Sequence, residues 1–264
     1  MKSLNYSDMA KYLLKLEKTA YKKCSKEKIN VKDKGSHDLL TTLDTSLEKF
    51  IIKDLNKNFP SVKIVSEEFN SSAKARGTYF VIDPVDGTIN FANGICLWGI
   101  QIAYIEDDVT VASAIYSPAM GEYMAAKGFG SYKNNKKFTI TPKDAIHSLT
   151  CLDINDFEFE YAMMKSLRDK VLKFRVTGAC CINCIFMAEG CYGAYVQFDA
   201  NPWDMLPGFL LIEEAGGLHE TVDGYHLFAS KPETMEMLKK NIKANTKKLT
   251  SKKTNKATKK KEEK

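Results

Sequence analysis

Two aspartates three positions apart, followed by glycine and threonine, form the segment of this sequence best suited to chemistry. Residues 80–91 read Phe-Val-Ile-Asp-Pro-Val-Asp-Gly-Thr-Ile-Asn-Phe, so an apolar strand runs directly into Asp83 and Asp86. The proline fixes a bend that lets both carboxylates face one point at the end of the strand. Gly87 and Thr88 then place backbone N–H groups where a helix begins, which suits an anion. Carboxylates and amides together predict a hard metal ion that holds a phosphate.

The distribution of charge around these aspartates supports a metal site. The chain has 39 Lys and Arg residues among 264, yet none lies between Gly77 and Ala126, a stretch that contains six acidic residues. Buried carboxylates need compensating positive charge. That charge must come either from basic residues distant in sequence or from metal ions. An ordinary buried sheet is the alternative interpretation, and it explains the missing lysines but not the retained aspartates.

Composition bounds the class of protein. A length of 264 residues with 44% hydrophobic content fits one large domain or two lobes with a real core. The sequence contains no apolar run of 18 residues and no apolar signal core at its start, so we expect no membrane span. Seven cysteines, an odd number, fit reduced thiols and predict a cytoplasmic location.

The C-terminal segment carries most of the net charge of +6. Residues 247–264 contain nine Lys and two Glu, so the other 246 residues together carry a charge of −1. Such a lysine-rich segment with few apolar residues predicts a disordered tail over residues 244–264. The tail could contact nucleic acid by charge alone, but a solvated extension is the preferred interpretation.

Helices and strands alternate along the chain, and they must position the candidate site. A polar loop is predicted over residues 30–38, and short strands over 62–65 and 79–82, before a series of strands and hairpins from 99 to 141. Helical spacing of apolar residues predicts helices over residues 6–28, 41–56, 158–172, 180–189, 203–215 and 234–242. This alternation predicts an α/β layered sandwich with lobes of about 1–145 and 146–243.

Four motifs, in order, resemble the inositol monophosphatase family. The run from Asp83 to Phe91 resembles its first signature, and Trp203-Asp204 followed by residues 211–217 (Leu-Ile-Glu-Glu-Ala-Gly-Gly) resembles its second. Residues 65–68 (Val-Ser-Glu-Glu) and 38–44 (Asp-Leu-Leu-Thr-Thr-Leu-Asp) match as well. The resemblance implies an αβαβα sugar-phosphatase fold over residues 1–243, shared with fructose-bisphosphatases and usually found as homodimers.

The same resemblance implies an activity and a set of site residues. Family members are Mg²⁺-dependent, Li⁺-sensitive phosphomonoesterases that use two or three metal ions per site. The implied metal ligands are Glu67, Asp83, the Val85 carbonyl, Asp86 and Asp204. The implied catalytic residues are Asp44 and Thr88, which orient and activate the attacking water, together with Glu67. The implied substrate-binding residues are Asp86, Gly87, Thr88, Gln197 and Asp204.

The chemistry of such a site needs no covalent nucleophile. Two Mg²⁺ ions roughly 4 Å apart can clamp the attacking and leaving oxygens of an in-line displacement. This fits the absence of histidine from the four motifs. A nucleophilic-aspartate mechanism of the haloacid-dehalogenase type is disfavoured, because that class places its two aspartates two residues apart rather than three.

One position departs from the pattern of the family. Inositol-binding members commonly have Glu seven residues before the Trp-Asp aspartate, where this chain has Gln197. The predicted function is therefore Mg²⁺-dependent hydrolysis of a small phosphate monoester, an inositol monophosphate or a related sugar phosphate. The alternatives are fructose 1,6-bisphosphate, histidinol phosphate or 3′-phosphoadenosine 5′-phosphate as substrate. A different class of function, binding of RNA or a transcription complex through the lysine-rich tail, also stays open.

Overall fold

The computed structural model describes residues 5–35, 38–72, 75–153, 157–198 and 200–262, with side chains as far as Lys247. The helices are α1 (Tyr6–Cys24), α2 (Thr42–Asn58), α3 (Thr88–Ala92), α4 (Phe157–Leu167), α5 (Cys180–Ala188), α6 (Pro202–Glu214) and α7 (Pro232–Glu262). The strands are β1 (Val31–Gly35), β2 (Asp38–Thr41), β3 (Lys63–Ser66), β4 (Tyr79–Asp86), β5 (Gly99–Glu106), β6 (Val109–Ser117), β7 (Gly121–Ala126), β8 (Gly130–Lys133), β9 (Lys136–Phe138), β10 (Leu149–Asp153), β11 (Lys173–Arg175), β12 (Tyr192–Phe198), β13 (Leu218–Val222) and β14 (Tyr225–Ala229).

The chain forms two compact units, and each unit consists of three separate segments of the sequence. The first comprises Met1–Thr139, Thr177–Glu189 and Ala200–Gly216. The second comprises Ile140–Val176, Gly190–Asp199 and Gly217–Lys264. The chain first changes unit near the predicted boundary at residue 145, but it then returns twice to the first unit. Such returns depend on tertiary contacts, which local sequence patterns do not reveal.

The first unit contains a seven-stranded sheet in the order β3-β4-β5-β6-β7-β8-β9. Strands β3 and β4 are parallel, and the remaining neighbours are antiparallel. Helices α1 and α2 bury an apolar face that includes Leu13 and Leu47, in one core with Ile82 and Ile102 of the sheet. Each such buried side chain contributes about 1.5–3 kcal/mol. This core fixes the end of β4, where the candidate aspartates lie.

The predicted polar loop over residues 30–38 is wrong, because these residues form part of an antiparallel ribbon. β1 pairs with β2, with Val31 opposite Thr41 and Gly35 opposite Asp38. Every residue of β1 is exposed, so its sequence shows no alternation of apolar and polar residues from which a strand could be predicted. Residues 36–37 lie outside the described residues.

The second unit contains a five-stranded mixed sheet in the order β11-β10-β12-β14-β13. β10 is parallel to both of its neighbours, whereas β14 is antiparallel to β12 and β13. A turn at Asp223-Gly224 joins β13 to β14, and both residues have positive φ, 52° and 82°. Helices α4 and α7 contribute Met163 and Leu238 to the core on this sheet.

The last helix is much longer than predicted. The sequence predicts a helix over 234–242 and a disordered tail over 244–264, but α7 continues to Glu262. Lysine and alanine have high helix propensity, so a helix anchored by buried Leu238 and Ile242 continues through the lysine-rich segment. Residues 263–264 lie outside the described residues. Among the helices of the described part, none is long and apolar enough to cross a membrane.

A buried acid in α1 provides a test of the packing of the first unit. Glu17 is 0% exposed, and neither carboxyl oxygen has a hydrogen-bond partner among the described residues. Burial raises the pKa of Glu17 well above its ordinary value, and the nearby backbone of Ile102 offsets only part of this rise. Folding therefore shifts the Glu17 carboxyl toward its neutral form, so protonation of Glu17 favours the folded state.

We expect Glu17→Met to stabilise the first unit by about 1–2 kcal/mol, because it removes an unsatisfied buried polar group. A carboxyl whose pKa is raised on folding stabilises the fold at low pH and loses that contribution as pH rises above its unfolded value near about 4.3. The gain from Glu17→Met should thus be larger at about pH 9 than at about pH 5. Urea unfolding at both pH values measures it, and destabilisation at both would contradict this account.

Candidate metal centre

Three aspartates from two elements of the first unit lie together. Asp83, Asp86 and Asp204 each offer a carboxylate oxygen within 4.8 Å of the others. Asp83 and Asp86 belong to β4, and Asp204 lies in the first turn of α6. They line a cavity of about 170 Å³, whose other lining residues are Asp38, Glu67, Val85, Gly87, Thr88, Ile89 and Gly178. The structure thus brings together residues from four separate motifs of the sequence.

An irregularity in β4 brings its two aspartates to one side. The register between β4 and β5 shifts between Asp83, opposite Gln101, and Asp86, opposite Gly99. In a regular strand, residues three apart point to opposite faces, so the shift is what brings the two carboxylates together. The Val85 N–H donates to Asp83 Oδ1 at 3.1 Å, which fixes the bend around Pro84.

Strand β3 positions Glu67 beside the aspartates. Because β3 is parallel to β4, Ser66 lies opposite Ile82, one residue before Asp83. The Glu67 N–H donates to the Ile82 carbonyl at 3.3 Å, which extends the pairing by one residue. Glu67 therefore reaches the same cavity from the end of the neighbouring strand.

Glu48 of α2 anchors this segment, and sequence analysis missed it. It is completely buried and accepts hydrogen bonds from the Glu68 N–H at 2.9 Å, the Phe69 N–H at 2.8 Å and the Ser66 hydroxyl. Glu48 follows Asp44 by one helical turn and therefore lies on the same face of α2. The sequence did contain a signal for the role of Glu48, because this glutamate lies on the helix face that carries the apolar residues Leu47 and Ile51.

Replacing Glu48 should loosen the turn that carries Glu67. Glu48→Gln leaves one acceptor oxygen and turns an NH₂ group toward N–H or O–H donors, so we expect a loss of about 1–3 kcal/mol in the free energy of unfolding. Chemical denaturation in the presence of a chelator measures this loss. Glu158→Gln on the exposed first turn of α4 is the control. Equal free energies of unfolding for the Glu48 variant and wild type would show that the hydrogen bonds of Glu48 contribute nothing to stability.

Asp44 and Thr88, the predicted pair, are in contact. Thr88 Oγ1 lies 3.0 Å from Asp44 Oδ1 and 2.8 Å from the Val85 carbonyl. Asp44 is the third residue of α2, and its Oδ2 accepts from the Thr41 N–H at 2.9 Å in a capping box. Both Asp44 and Thr88 are buried. The helix start thus fixes a carboxylate against the hydroxyl that lines the cavity.

Gly87 has a conformation and surroundings that exclude a side chain. Its φ is 89°, and a Cβ atom there would lie 2.9 Å from the Ala179 Cβ. The glycine caps α3, as the sequence predicts for a helix that begins after Asp86. This close approach lets Asp86 reach the start of α5, where it accepts from the Cys180 N–H at 3.2 Å and from the Cys181 N–H.

The carboxyl groups of the cavity have raised pKa values. Burial, followed by repulsion from Asp204, raises the pKa of Asp86 to about 7, although N–H groups of Cys181 and Cys180 lower it. Burial raises the pKa of Glu67 to about 8, although Lys34 lowers it. Burial and then the neighbouring carboxylates raise the pKa of Asp83 well above its usual range. Such a cluster ionises fully only when a cation compensates it.

Lys34 is a basic residue close to Glu67 and Glu68, and the sequence did not identify it as a site residue. Its Nζ lies 2.5 Å from Glu68 Oε1 and 3.3 Å from Glu67 Oε1. Glu67 has a raised pKa even beside this ammonium group, so one lysine does not neutralise the cluster. Lys34 lies on β1, in the segment predicted as a loop, and no pattern in the sequence predicted its contact with the two glutamates.

Carboxylates and a backbone carbonyl are the ligands that Mg²⁺ prefers, so the residues that line the acidic cavity fit this ion.

Gln197 is the predicted site residue that belongs to the second unit. It lies on β12, is 4% exposed, and its Oε1 accepts a hydrogen bond from the Tyr195 hydroxyl. Tyr195 is two residues earlier on the same strand and therefore on the same face. A role of Gln197 in binding substrate stays a prediction.

Comparison with known proteins connects this geometry to a family. The sequence matches the model of the inositol monophosphatase family over residues 6–263. The chain belongs to this family. Members of the inositol monophosphatase family are metal-dependent phosphoric monoester hydrolases, so the predicted family and enzyme class are confirmed.

Individual members of the family, named for different functions, are similar to this chain. It is 26% identical over 203 residues to a fructose-1,6-bisphosphatase/inositol-1-monophosphatase of Aquifex aeolicus, covering 74% of this chain and 77% of the relative. It is 28% identical over 215 residues to the Nus factor SuhB of Pseudomonas aeruginosa, covering 77% and 79%. The solved structure of an IMPase of Thermotoga maritima is similar with a TM-score of 0.83 at 21% identity, covering 92% and 99%. The last match confirms the layered α/β fold of the family.

Proposed function

We propose that this chain hydrolyses a small phosphate monoester at the acidic cavity of its first unit, with Mg²⁺ as the metal. The observation that carries the proposal is the group of three carboxylates within 4.8 Å of one another, beside the Asp44–Thr88 contact. The raised pKa values of Asp86 and Glu67 support a cation at this group, because a bound cation would compensate the carboxylates. An inert scaffold would gain stability by losing such acids.

We infer that two or three Mg²⁺ ions bind at this site, the number that the family resemblance implies. The residues that would hold them are Glu67, Asp83, Asp86, Asp204 and the carbonyl of Val85. When bound, the ions lower the pKa of water and neutralise charge on the phosphate in the transition state. Family membership supports the metal dependence, and hard oxygen donors support Mg²⁺ in particular.

Residues beside the metal ligands would orient the attacking water. Asp44 accepts a hydrogen bond from the Thr88 hydroxyl, which leaves the Thr88 oxygen free to accept one from water. The raised pKa of Asp44, caused by burial, makes it a better proton acceptor once ionised. Glu67, at the end of the neighbouring strand β3, would help to activate the same water. Backbone N–H groups of Gly87 and Thr88 would donate to the phosphate oxygens.

The substrate class proposed is an inositol monophosphate or related sugar phosphate. The relative from Aquifex aeolicus, named for both fructose-1,6-bisphosphate and inositol-1-monophosphate, supports this class. Gln197 can hydrogen-bond a sugar hydroxyl but brings no charge. A homodimer and a cytoplasmic location complete the proposal.

A panel of phosphate esters tests the proposed substrate class. The panel comprises inositol 1-phosphate, fructose 1,6-bisphosphate, histidinol phosphate and 3′-phosphoadenosine 5′-phosphate, and phosphate release is followed with Mg²⁺ and with EDTA. We expect release that depends on Mg²⁺, with the highest kcat/KM for one of the first two substrates. Release only from the nucleotide would overturn the substrate class, and no release from folded protein would overturn the enzymatic proposal.

A transcription-associated role is the second candidate. The relative from Pseudomonas aeruginosa is named a Nus factor, and the lysine-rich C-terminal segment offers positive charge. This role predicts RNA binding that weakens with salt and is lost when residues 247–264 are deleted. Binding that persists after the deletion would exclude the tail as the contact.

A further inference from the structure

A groove along α1, distinct from the acidic cavity, carries a concentration of positive charge. Its volume is about 1120 Å³, and it is open to solvent. Lysines dominate its charged lining, namely Lys11, Lys15, Lys18, Lys22, Lys23 and Lys26. None of these residues lines the acidic cavity. The proposed phosphatase chemistry therefore leaves this surface unexplained.

Three of these lysines follow one face of the helix and its end. Lys15 and Lys22 are seven residues apart, about two turns, which places them on the same side of α1, and Lys26 follows two residues after the helix ends at Cys24. With a rise of 1.5 Å per residue, Lys15 and Lys22 lie about 10 Å apart along the axis. All three are exposed. Together they form a row of positive charges along the groove that suits an extended polyanion.

In the part of the chain that the structure describes, this row of lysines has no acidic partner. Glu122, the acidic residue of the groove, pairs with Lys18 at 2.5 Å. Lys23 lies over the Phe50 ring at 4.9 Å. Within the described residues, no ion pair involves Lys15, Lys22 or Lys26. Residues 1–246 carry a net charge of −1, so the positive row is a local feature rather than a property of the whole chain.

The lining of the groove indicates which polyanion fits. Tyr21 and Tyr116 lie in it, with ring centroids 5.4 Å apart, and aromatic rings are the surfaces on which unpaired bases stack. A membrane surface fits less well, because the aliphatic residues that line the groove, Leu14 and Met124, are each only 5% exposed and offer no anchor that could insert into lipid. A concave channel also suits a single strand better than a duplex. We propose that the α1 groove binds single-stranded RNA through its phosphate backbone.

The test compares two variants of the full-length protein that lose the same charge. Lys15→Gln/Lys22→Gln/Lys26→Gln neutralises the row, and Lys53→Gln/Lys57→Gln/Lys63→Gln removes three exposed lysines elsewhere in the first unit. Glutamine keeps most of the helix propensity of lysine. A fluorescently labelled single-stranded RNA of mixed sequence serves as the probe, and anisotropy gives the Kd at several salt concentrations. Circular dichroism and phosphate release show that both variants are folded.

We expect the groove variant to bind at least about tenfold more weakly at low salt, with a slope of log K against log salt smaller by about 2. The control variant should bind within about twofold of wild type. Deletion of residues 247–264 should reduce binding less than the groove variant does, whereas binding through the tail alone would be lost on that deletion.

Three results would overturn the proposal. One is unchanged RNA binding by the groove variant. Another is an equal loss in the control variant, which would show a response to net charge alone. The third is competition by poly-L-glutamate or by vesicles of anionic lipid as strong as that by unlabelled RNA at equal charge, which would assign the groove to another kind of acidic partner.

Discussion

Asp86→Asn should lower Mg²⁺-dependent phosphate release at least about a thousandfold, a loss of about 4 kcal/mol in transition-state stabilisation. Asp86 lines the acidic cavity, where it is 8% exposed and close to both other aspartates. An amide keeps the size of the side chain but removes the charge that a metal ion requires.

The fold should survive this substitution. The amide oxygen can still accept from the Cys181 N–H, and the loss of a buried charge relieves repulsion from Asp204. We therefore expect the melting temperature in EDTA to be equal to or higher than that of wild type.

Asp107→Asn, in the exposed turn after β5, is the matched control and should keep full activity. Steady-state rates with the best substrate of the panel measure the effect. An Asp86 variant that retains more than about a tenth of the rate would mean that this carboxylate is not a metal ligand.

The metal-free protein should lose stability as pH rises from about 5 to about 8, and Mg²⁺ should reverse that loss. Asp86 and Glu67 have raised pKa values of about 7 and about 8 in the folded state, whereas the unfolded chain titrates near about 4. In this window the folded state binds more protons than the unfolded state, so stability falls with rising pH. The contribution is fully present below about pH 4 and is lost through the folded pKa values.

With Mg²⁺ present, stability should rise rather than fall with pH, because the ion compensates the carboxylates that bound protons neutralise at low pH. The apparent affinity for Mg²⁺ should rise with pH as the ligands ionise. At a concentration of about one hundred times its Kd, the ion adds about 2.7 kcal/mol, which raises the melting temperature by about 5–10 °C.

Thermal unfolding in EDTA and in MgCl₂, at equal ionic strength, measures this difference across the pH range. An increment in melting temperature that does not depend on pH, or that persists in Asp86→Asn, would contradict the assignment of the cavity as the metal centre.

Much of the site could be predicted because its residues lie in short motifs with local structure of their own. Asp83, Asp86 and Gly87 end a strand and start a helix within a few residues, so the sequence alone indicates a joint site. Asp204 came from a second motif, and only the family resemblance could connect it to the first. The pairing of Asp44 with Thr88 likewise depends on the contact between α2 and the end of β4.

The residues that support the site were harder to predict. Lys34 lies in an exposed ribbon whose residues show no periodicity, so neither the strand nor its contact with Glu67 and Glu68 had a local signal. Glu48 appeared to be one more glutamate of an amphipathic helix, although it is buried and anchors the Glu67 turn. The C-terminal helix α7 is longer than predicted, because the prediction of a disordered tail used only the composition of the lysine-rich segment. It did not consider that a helix precedes this segment and can continue into it.

The central claim is that the acidic cavity of the first unit is a catalytic metal centre, and a Mg²⁺ titration tests it most directly. Phosphate release from the best substrate of the panel is measured as Mg²⁺ is added to metal-free protein, while Mg²⁺ binding is followed calorimetrically under the same conditions. We predict no release in EDTA, a rate that rises in step with occupancy of the cavity, and the loss of both binding and release in Asp86→Asn. Release that continues in EDTA, or that rises while Asp86→Asn binds Mg²⁺ as wild type does, would contradict the account.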